Sequence, residues 1–190
     1  MSAEPRPNLS SFQQVALVAL RTFIGWHFLY EGIYKLRLPG WSPDGQPLAA
    51  WTSAGFIKAA SGPFARLARV AVDAGLLPWI DRLIMFGVAA VGLSLILGLF
   101  TRAGCFGALF LLALFYFLAV PTSGMPQEHA EGSYLFVNKT LVEGIAVLAL
   151  LAFDTGRIAG LDRLWRERRQ PSTVLSPPPG ARPAHQGSGT

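Results

Sequence analysis

Two uninterrupted charge-free runs constrain this chain more than any other feature: residues 83–101 and 103–127, separated only by Arg102. About 20 apolar residues in a helix span the ~30 Å hydrocarbon core of a bilayer. Two such runs in tandem predict two membrane-crossing helices, over residues 79–100 and 103–120, joined by a tight turn at Thr101 and Arg102. Composition agrees. Of 190 residues, 52% are hydrophobic and only 14% charged, against roughly 25% charged in soluble domains. The mean hydropathy is +0.40. This excludes an ordinary soluble enzyme, a disordered chain and a nucleic-acid-binding domain, so the net charge of +5 needs another explanation than DNA. The single cysteine, Cys105, excludes an internal disulfide or a cysteine-ligated metal cluster. It reads as a small helix-packing residue.

Two further spans complete the expected architecture. The first covers residues 12–36. It starts at a capping box made by Ser10 with Gln13 or Ser11 with Gln14, carries Arg21 inside, and closes on Glu31 and Lys35 before Pro39 and Gly40. The last covers residues 134–153. Its uncharged stretch, 144–153, is too short to cross alone, so the span extends back over Asn138, Lys139 and Glu143. The predicted fold is all-α, a four-transmembrane-helix bundle across residues 12–156. On the second span Ala90, Ser94 and Gly98 lie four apart, a small-residue stripe that would either let backbones approach in lipid or face the lipid itself.

Charge placement orients the bundle. With four spans, both termini and the Thr101–Arg102 turn share one side. That side holds nine basic residues (Arg6, Arg21, Arg102, Arg157, Arg163, Arg166, Arg168, Arg169, Arg182) against four acids, while the other holds seven of each. Basic residues gather on the cytoplasmic side, which predicts both termini inside. Residues 1–11, with Glu4, Pro5, Arg6 and Pro7, lack the pattern of a cleaved signal and read as a cytoplasmic tail.

The external segment 37–78 is expected to form short interfacial helices, because Pro47 and Pro63 each sit where a helix can begin and Gly62 separates them. In the second, Phe64, Leu67, Val70, Ala71 and Ala74 make an apolar stripe with Arg66, Arg69 and Asp73 outside it. Trp41, Trp51, Trp79, Tyr30, Tyr34 and Tyr134 map to the same outer boundary as an aromatic belt. Beyond the last span, residues 157–169 alternate Ile158, Leu161, Leu164 and Trp165 with basic residues, an inner-leaflet amphipathic helix. Residues 170–190 hold five prolines and read as a disordered tail.

Ionisable groups inside spans are costly and point to function. Glu31 and Lys35 lie four apart on the first span, and Lys139 and Glu143 lie four apart on the last, which runs the opposite way. Both glutamates therefore sit about one turn deeper than their lysines, near the outer end. His27 and Tyr34 share a sector with Glu31. If the two faces meet, they enclose a polar pocket overhung by His129 and Glu131. Glu31, Glu143 and His27 are the candidate catalytic groups, and Lys35, Lys139, Asn138 and Tyr34 the candidate substrate-binding ones. The same charges would equally serve as an interhelical ion network that locks the bundle. On the inner side Arg21, Asp154, Arg157 and Asp162 form a candidate structural latch, with Asp154 or Asp162 expected to pair with Arg21. No metal or haem site is predicted, since His27, His129 and His185 fall in a span, a loop and the tail.

Arg21 with YEGIYKL (30–36), GLFTR (98–102), NKTLVEG (138–144) and GRIAGLD (156–162) together resemble the DoxX/DoxD family of bacterial membrane proteins, over about residues 12–165. The long external segment and NKTLVEG resemble the DoxD-like branch. The resemblance implies a four-helix membrane bundle in the bacterial inner membrane. It also implies kinship to small subunits of a thiosulfate:quinone oxidoreductase, with a quinone as cofactor and protein partners in a membrane complex. The leading expectation is a membrane subunit of a quinone-linked oxidoreductase, whose outer pocket takes a quinone or a small anion. The alternatives are a non-catalytic scaffold or assembly subunit of a larger complex, and a small-solute permease.

Overall fold

Helix α1 (Ser11–Lys35) begins at a capping box in which Gln13 N–H donates to Ser10 Oγ at 3.3 Å and Ser10 N–H donates to Gln13 Oε1 at 2.8 Å. Of the two expected boxes, the structure uses the Ser10 one. The computed structural model describes residues 9–36, 51–119, 133–134 and 136–169. The expected N-terminal tail (except its last residues), Trp41, Pro47, His129, Glu131 and the Pro-rich segment 170–190 lie outside them.

Two short helices follow, α2 (Ala54–Ala59) and α3 (Ala65–Asp73). They dock on the end of α5 (Thr101–Ala119): Gly62 N–H donates to Leu118 O at 2.9 Å, and Ala60 and Ala65 bury against Leu118. Buried Ala65 faces inward, which leaves the expected stripe of Phe64, Leu67 and Val70 exposed.

Helix α4 (Leu77–Leu97) starts with Pro78 in its first turn and stops at Gly98, whose φ of 61° is the left-handed C-terminal stop that glycine accepts without cost. Helices α4 and α5 are long and apolar enough to cross a membrane, and only 33% of each apolar window is buried inside the protein. Soluble core helices hide such side chains. Here Leu83, Phe86, Phe106 and Phe110 all point outward, each more than 60% exposed, as lipid-facing residues do. The connection differs from the expected one. Thr101 and Arg102 are the first residues of α5, and the turn is Gly98–Leu99–Phe100.

The last long helix, α6 (Lys139–Ala152), has 14 residues and begins five positions later than expected. Residues Ser133–Tyr134 (β1) and Val137–Asn138 (β2) form a minimal antiparallel hairpin instead, with Ser133 opposite Asn138. The reason lies in Asn138. Its Oδ1 accepts from Leu141 N–H at 2.9 Å, a cap that requires extended backbone at Asn138 and so starts the helix there. Tyr116 Oη ties the hairpin to α5 by donating to Phe136 O at 2.9 Å. A single 3-10 turn (Thr155–Arg157) then leads into α7 (Leu161–Arg169).

The four longest helices pack in a closed cycle, α1 on α4, α4 on α5, α5 on α6 and α6 on α1. Leu95, Ala108, Val147 and Leu150 are completely enclosed at its centre. The closest contact joins α1 and α4. A Cβ at Gly32 would lie 2.6 Å from Ala89 Cα, and one at Gly92 would lie 2.6 Å from Leu29 Cα. Backbone therefore meets backbone at Gly32 and Gly92. The expected stripe divides: Ala90 is exposed, Ser94 faces Gly104, and Gly98 makes a backbone approach to Gly160 beyond the bundle.

Candidate functional site

A cavity of about 400 Å³ opens where α1, α4, α5 and α6 splay at the end that carries α2. Helix α1 supplies His27, Phe28, Glu31 and Lys35, because these positions recur on one face at helical spacing. Helix α6 supplies Lys139, Thr140 and Glu143 from its first turns. The two polar faces thus meet. Their direct link is between His27 Nδ1 and Glu143 Oε1, 3.0 Å apart. Glu143 is the deeper partner, 12% exposed against 39% for the His27 side chain.

Glu143 therefore pairs across to α1 and not with Lys139 on its own helix. On α1, the Lys35 ammonium donates to Glu31 one turn back. Lys35 also lies over the ring of Trp51, with Nζ 5.4 Å from the centroid, a cation–π arrangement. Trp51, expected at the outer boundary as part of an aromatic belt, turns into the bundle at this end and roofs the cavity. Phe56 of α2 meets Phe115 of α5 edge-on at 6.0 Å and continues this roof.

The roof is pinned by a buried acid. Ser53 N–H and Oγ–H both donate to Asp81 Oδ1, at 2.8 and 2.6 Å, with Asp81 only 9% exposed. Trp51, Ser53, Phe56 and Asp81 are absent from the sequence-derived set. For Asp81 a signal exists: it continues the buried stripe Ile84, Val88, Val91 and Leu95 at steps of three and four. The loop residues Trp51 and Ser53 carry no such periodic signal.

Two expected binding residues stand elsewhere. Tyr34 is exposed and stacks on Tyr30, with ring centroids 6.5 Å apart. Asn138 caps α6 and lines a separate groove outside the cavity. Of the other belt positions, Trp79 is exposed, and Tyr134 and Trp41 are not among the described side chains.

At the opposite end the latch residues gather, with different partners from those expected. Arg21, 3% exposed, donates from Nη1 to Thr155 O at 3.0 Å and Ala159 O at 2.7 Å, so it holds carbonyls and not an acid. Asp162 is engaged by α5: Phe100 N–H donates to its Oδ1 at 2.7 Å and Thr101 N–H to its Oδ2 at 2.8 Å. It caps a helix far away in sequence, satisfying donors that would otherwise lack partners. Asp154 pairs with Arg157 at 2.8 Å and Arg102 at 3.3 Å. These groups join α1, α5 and α7. Among the described residues no group of three or more His, Cys, Asp or Glu is placed to hold a metal ion.

The family model described as TQO small subunit DoxD matches residues 16–170. The comparisons with curated proteins and with solved structures give no match.

Proposed function

The chain belongs to the DoxD family, and from that premise we propose that it is the small membrane subunit of a thiosulfate:quinone-type oxidoreductase and receives the quinone ring in the cavity between α1 and α6. The observation that carries this reading is the His27–Glu143 pair, set in the wall of a cavity that Glu31, Lys35 and Lys139 also line. Ligand sites usually enclose roughly 300–1,000 Å³ and mix apolar walls with a few directed polar groups. This one meets both conditions: Trp51, Phe56, Phe115 and Val88 suit a flat ring, and the polar side chains suit two carbonyl oxygens.

A quinone held between His27 and the Trp51–Phe115 wall would supply the two-electron, two-proton acceptor. The chain's own part is to bind and to handle protons. Glu143 engages His27 Nδ1 and orients the ring, which leaves Nε2 to exchange a proton with a ligand oxygen. Lys35, held by Glu31 and Trp51, keeps a fixed positive charge beside the site. Electrons would come from thiosulfate, the donor that the family resemblance implies, through a partner subunit.

In this reading α1, α4, α5 and α6 cross the cytoplasmic membrane of a bacterium as a four-helix bundle, with both termini inside. At 1.5 Å per residue α6 reaches only about 21 Å. The hairpin β1–β2 and the 3-10 turn complete its crossing at the two boundaries, where backbone polar groups meet water or protein. The excess of basic residues around Arg102 and Arg157–Arg169 favours that side as cytoplasmic.

The test is extraction. Full-length protein purified from native membranes retains quinone in its organic extract, and Glu143→Gln loses most electron transfer while the complex still assembles. Protein free of quinone, with normal electron transfer in Glu143→Gln, would make the chain a scaffold subunit instead.

A further inference from the structure

Two concavities share the His27–Glu143 pair. One is the cavity already described. The other is a groove of about 470 Å³ on the outer flank of the α1/α6 seam, lined by Leu20, Ile24, Val137, Val142 and Ala146 in addition to His27, Lys139 and Glu143. Apart from Asn138 and those three shared residues, the groove wall is apolar. Its rim residues Leu20 and Val142 are 37% and 58% exposed on the face that a bilayer would cover. Packing of α1 on α6 is also the sparsest contact in the helix cycle.

We propose that this groove is a lateral portal, which holds the apolar tail of the ligand whose ring occupies the cavity, with His27 and Glu143 as the sill between ring and tail. The proposal rests on the quinone reading of the cavity and adds the route of entry and the ligand's amphiphilic class. A ring carrying a long alkyl or isoprenoid tail lives in the hydrocarbon layer. Entry from water would drag that tail past Lys35 and Glu31. Entry through the seam leaves the tail among Leu20, Ile24, Val142 and Ala146 and brings only the ring over the polar sill. Apolar side chains gain little against lipid tails of equal polarity, so the groove acts by shape and position, and blocking it is a steric matter.

The test uses the full chain in lipid nanodiscs and two probes, a decyl-substituted benzoquinone and the same ring without a tail, with binding read by quenching of tryptophan fluorescence. Val142→Phe and Leu20→Phe narrow the groove from opposite helices at exposed positions, so folding is retained. Leu148→Phe, exposed on α6 outside the groove, is the control. The portal predicts that the decyl probe binds each groove variant about tenfold or more weakly, the scale on which a single ill-fitting methylene is discriminated. The tail-less ring should bind unchanged, and Leu148→Phe should affect neither. Unchanged binding of both probes to the groove variants overturns the portal, and would leave the groove to a lipid acyl chain. Equal weakening of both probes overturns it as well, since the substitutions would then be acting on the cavity. Wild-type protein that binds neither probe overturns the quinone reading itself and the portal with it.

Discussion

His27 Nδ1 and Glu143 Oε1 lie 3.0 Å apart, the contact that joins the polar face of α1 to that of α6. It is an asymmetric pair, in which the carboxylate is nearly enclosed and the imidazole half reachable from the cavity. Such a pair can pass a proton without leaving a bare charge in an apolar wall. Glu143→Gln keeps an acceptor for His27 but removes the basicity. Turnover of a quinone acceptor should fall about 100-fold or more, the usual scale of general acid–base assistance. The melting temperature should barely move, because glutamine keeps the shape of the side chain and an oxygen within hydrogen-bond reach of His27. Unaltered turnover in Glu143→Gln would remove the pair from the chemistry.

The clasp between Asp81 and Ser53 makes a different prediction, about order at the roof. Asp81→Ala leaves the Ser53 N–H and hydroxyl without their acceptor in a buried place, at a cost of roughly 1–3 kcal/mol. Asp81→Asn keeps one oxygen and should lose less. The segment carrying Trp51 and α2 would then open more often, and trypsin should cut after exposed Lys58 faster in Asp81→Ala than in Asp81→Asn or wild type. Equal cleavage rates in all three would show that the clasp does not hold the roof.

How much of this was legible beforehand depends on how far apart the interacting residues lie. Helices α4 and α5 follow from composition alone, since no soluble fold tolerates two such runs facing outward. The Glu31–Lys35 pair follows from helical spacing, as does the common face of His27 and Glu31. The His27–Glu143 contact does not, because two helices can cross with those faces together or apart, and only packing decides. Gly32 against Ala89 and Gly92 against Leu29 are what decide it, by drawing α1 and α4 to backbone contact. Asp162 shows the limit most clearly. Its charge suggested an ion pair with Arg21, yet two unsatisfied N–H groups at the start of α5 bid for the same oxygens and hold them. Asn138 was visible as a polar residue in a span, but its stronger preference for capping a helix ended the span there.

The glycines separate packing from propensity. At Gly92 and Gly32 an added methyl would meet backbone atoms at 2.6 Å, so Gly92→Ala and Gly32→Ala should each destabilise by roughly 1–3 kcal/mol, as overpacked cores do. At Gly144, inside α6, an added Cβ meets nothing within 4 Å. Gly144→Ala should instead stabilise by up to about 1 kcal/mol through helix propensity. Thermal unfolding in detergent checks both signs. Loss of stability in Gly144→Ala, or none in Gly92→Ala, would contradict the helix packing described.

Asp162 uses one oxygen for Phe100 N–H and the other for Thr101 N–H. Asp162→Asn can accept at only one of them, whereas Asp162→Ala accepts at neither. Loss of a helix cap costs roughly 0.5–2 kcal/mol, so stability should decline in the order Asp, Asn, Ala. Restored stability in Asp162→Asn would mean that charge alone, or a single bond, suffices.

Whether α6 crosses can be decided by one comparison of two exposed positions. Three helices, α4, α5 and α6, lie between Lys58 in α2 and Arg168 in α7. If all three cross, the two positions lie on opposite sides of the membrane. If only α4 and α5 cross, the helices whose length and apolarity suffice by themselves, they lie on the same side. Cys105 is 1% exposed and should stay silent toward a maleimide that cannot enter the bilayer, so single cysteines can be added to the native chain. In spheroplasts Lys58→Cys should label at once and Arg168→Cys only after permeabilisation, with Arg102→Cys behaving like Arg168→Cys. Labelling of Lys58→Cys and Arg168→Cys from the same side would show that α6 does not cross, and would leave the His27–Glu143 pair at the bilayer surface rather than in a membrane-embedded site.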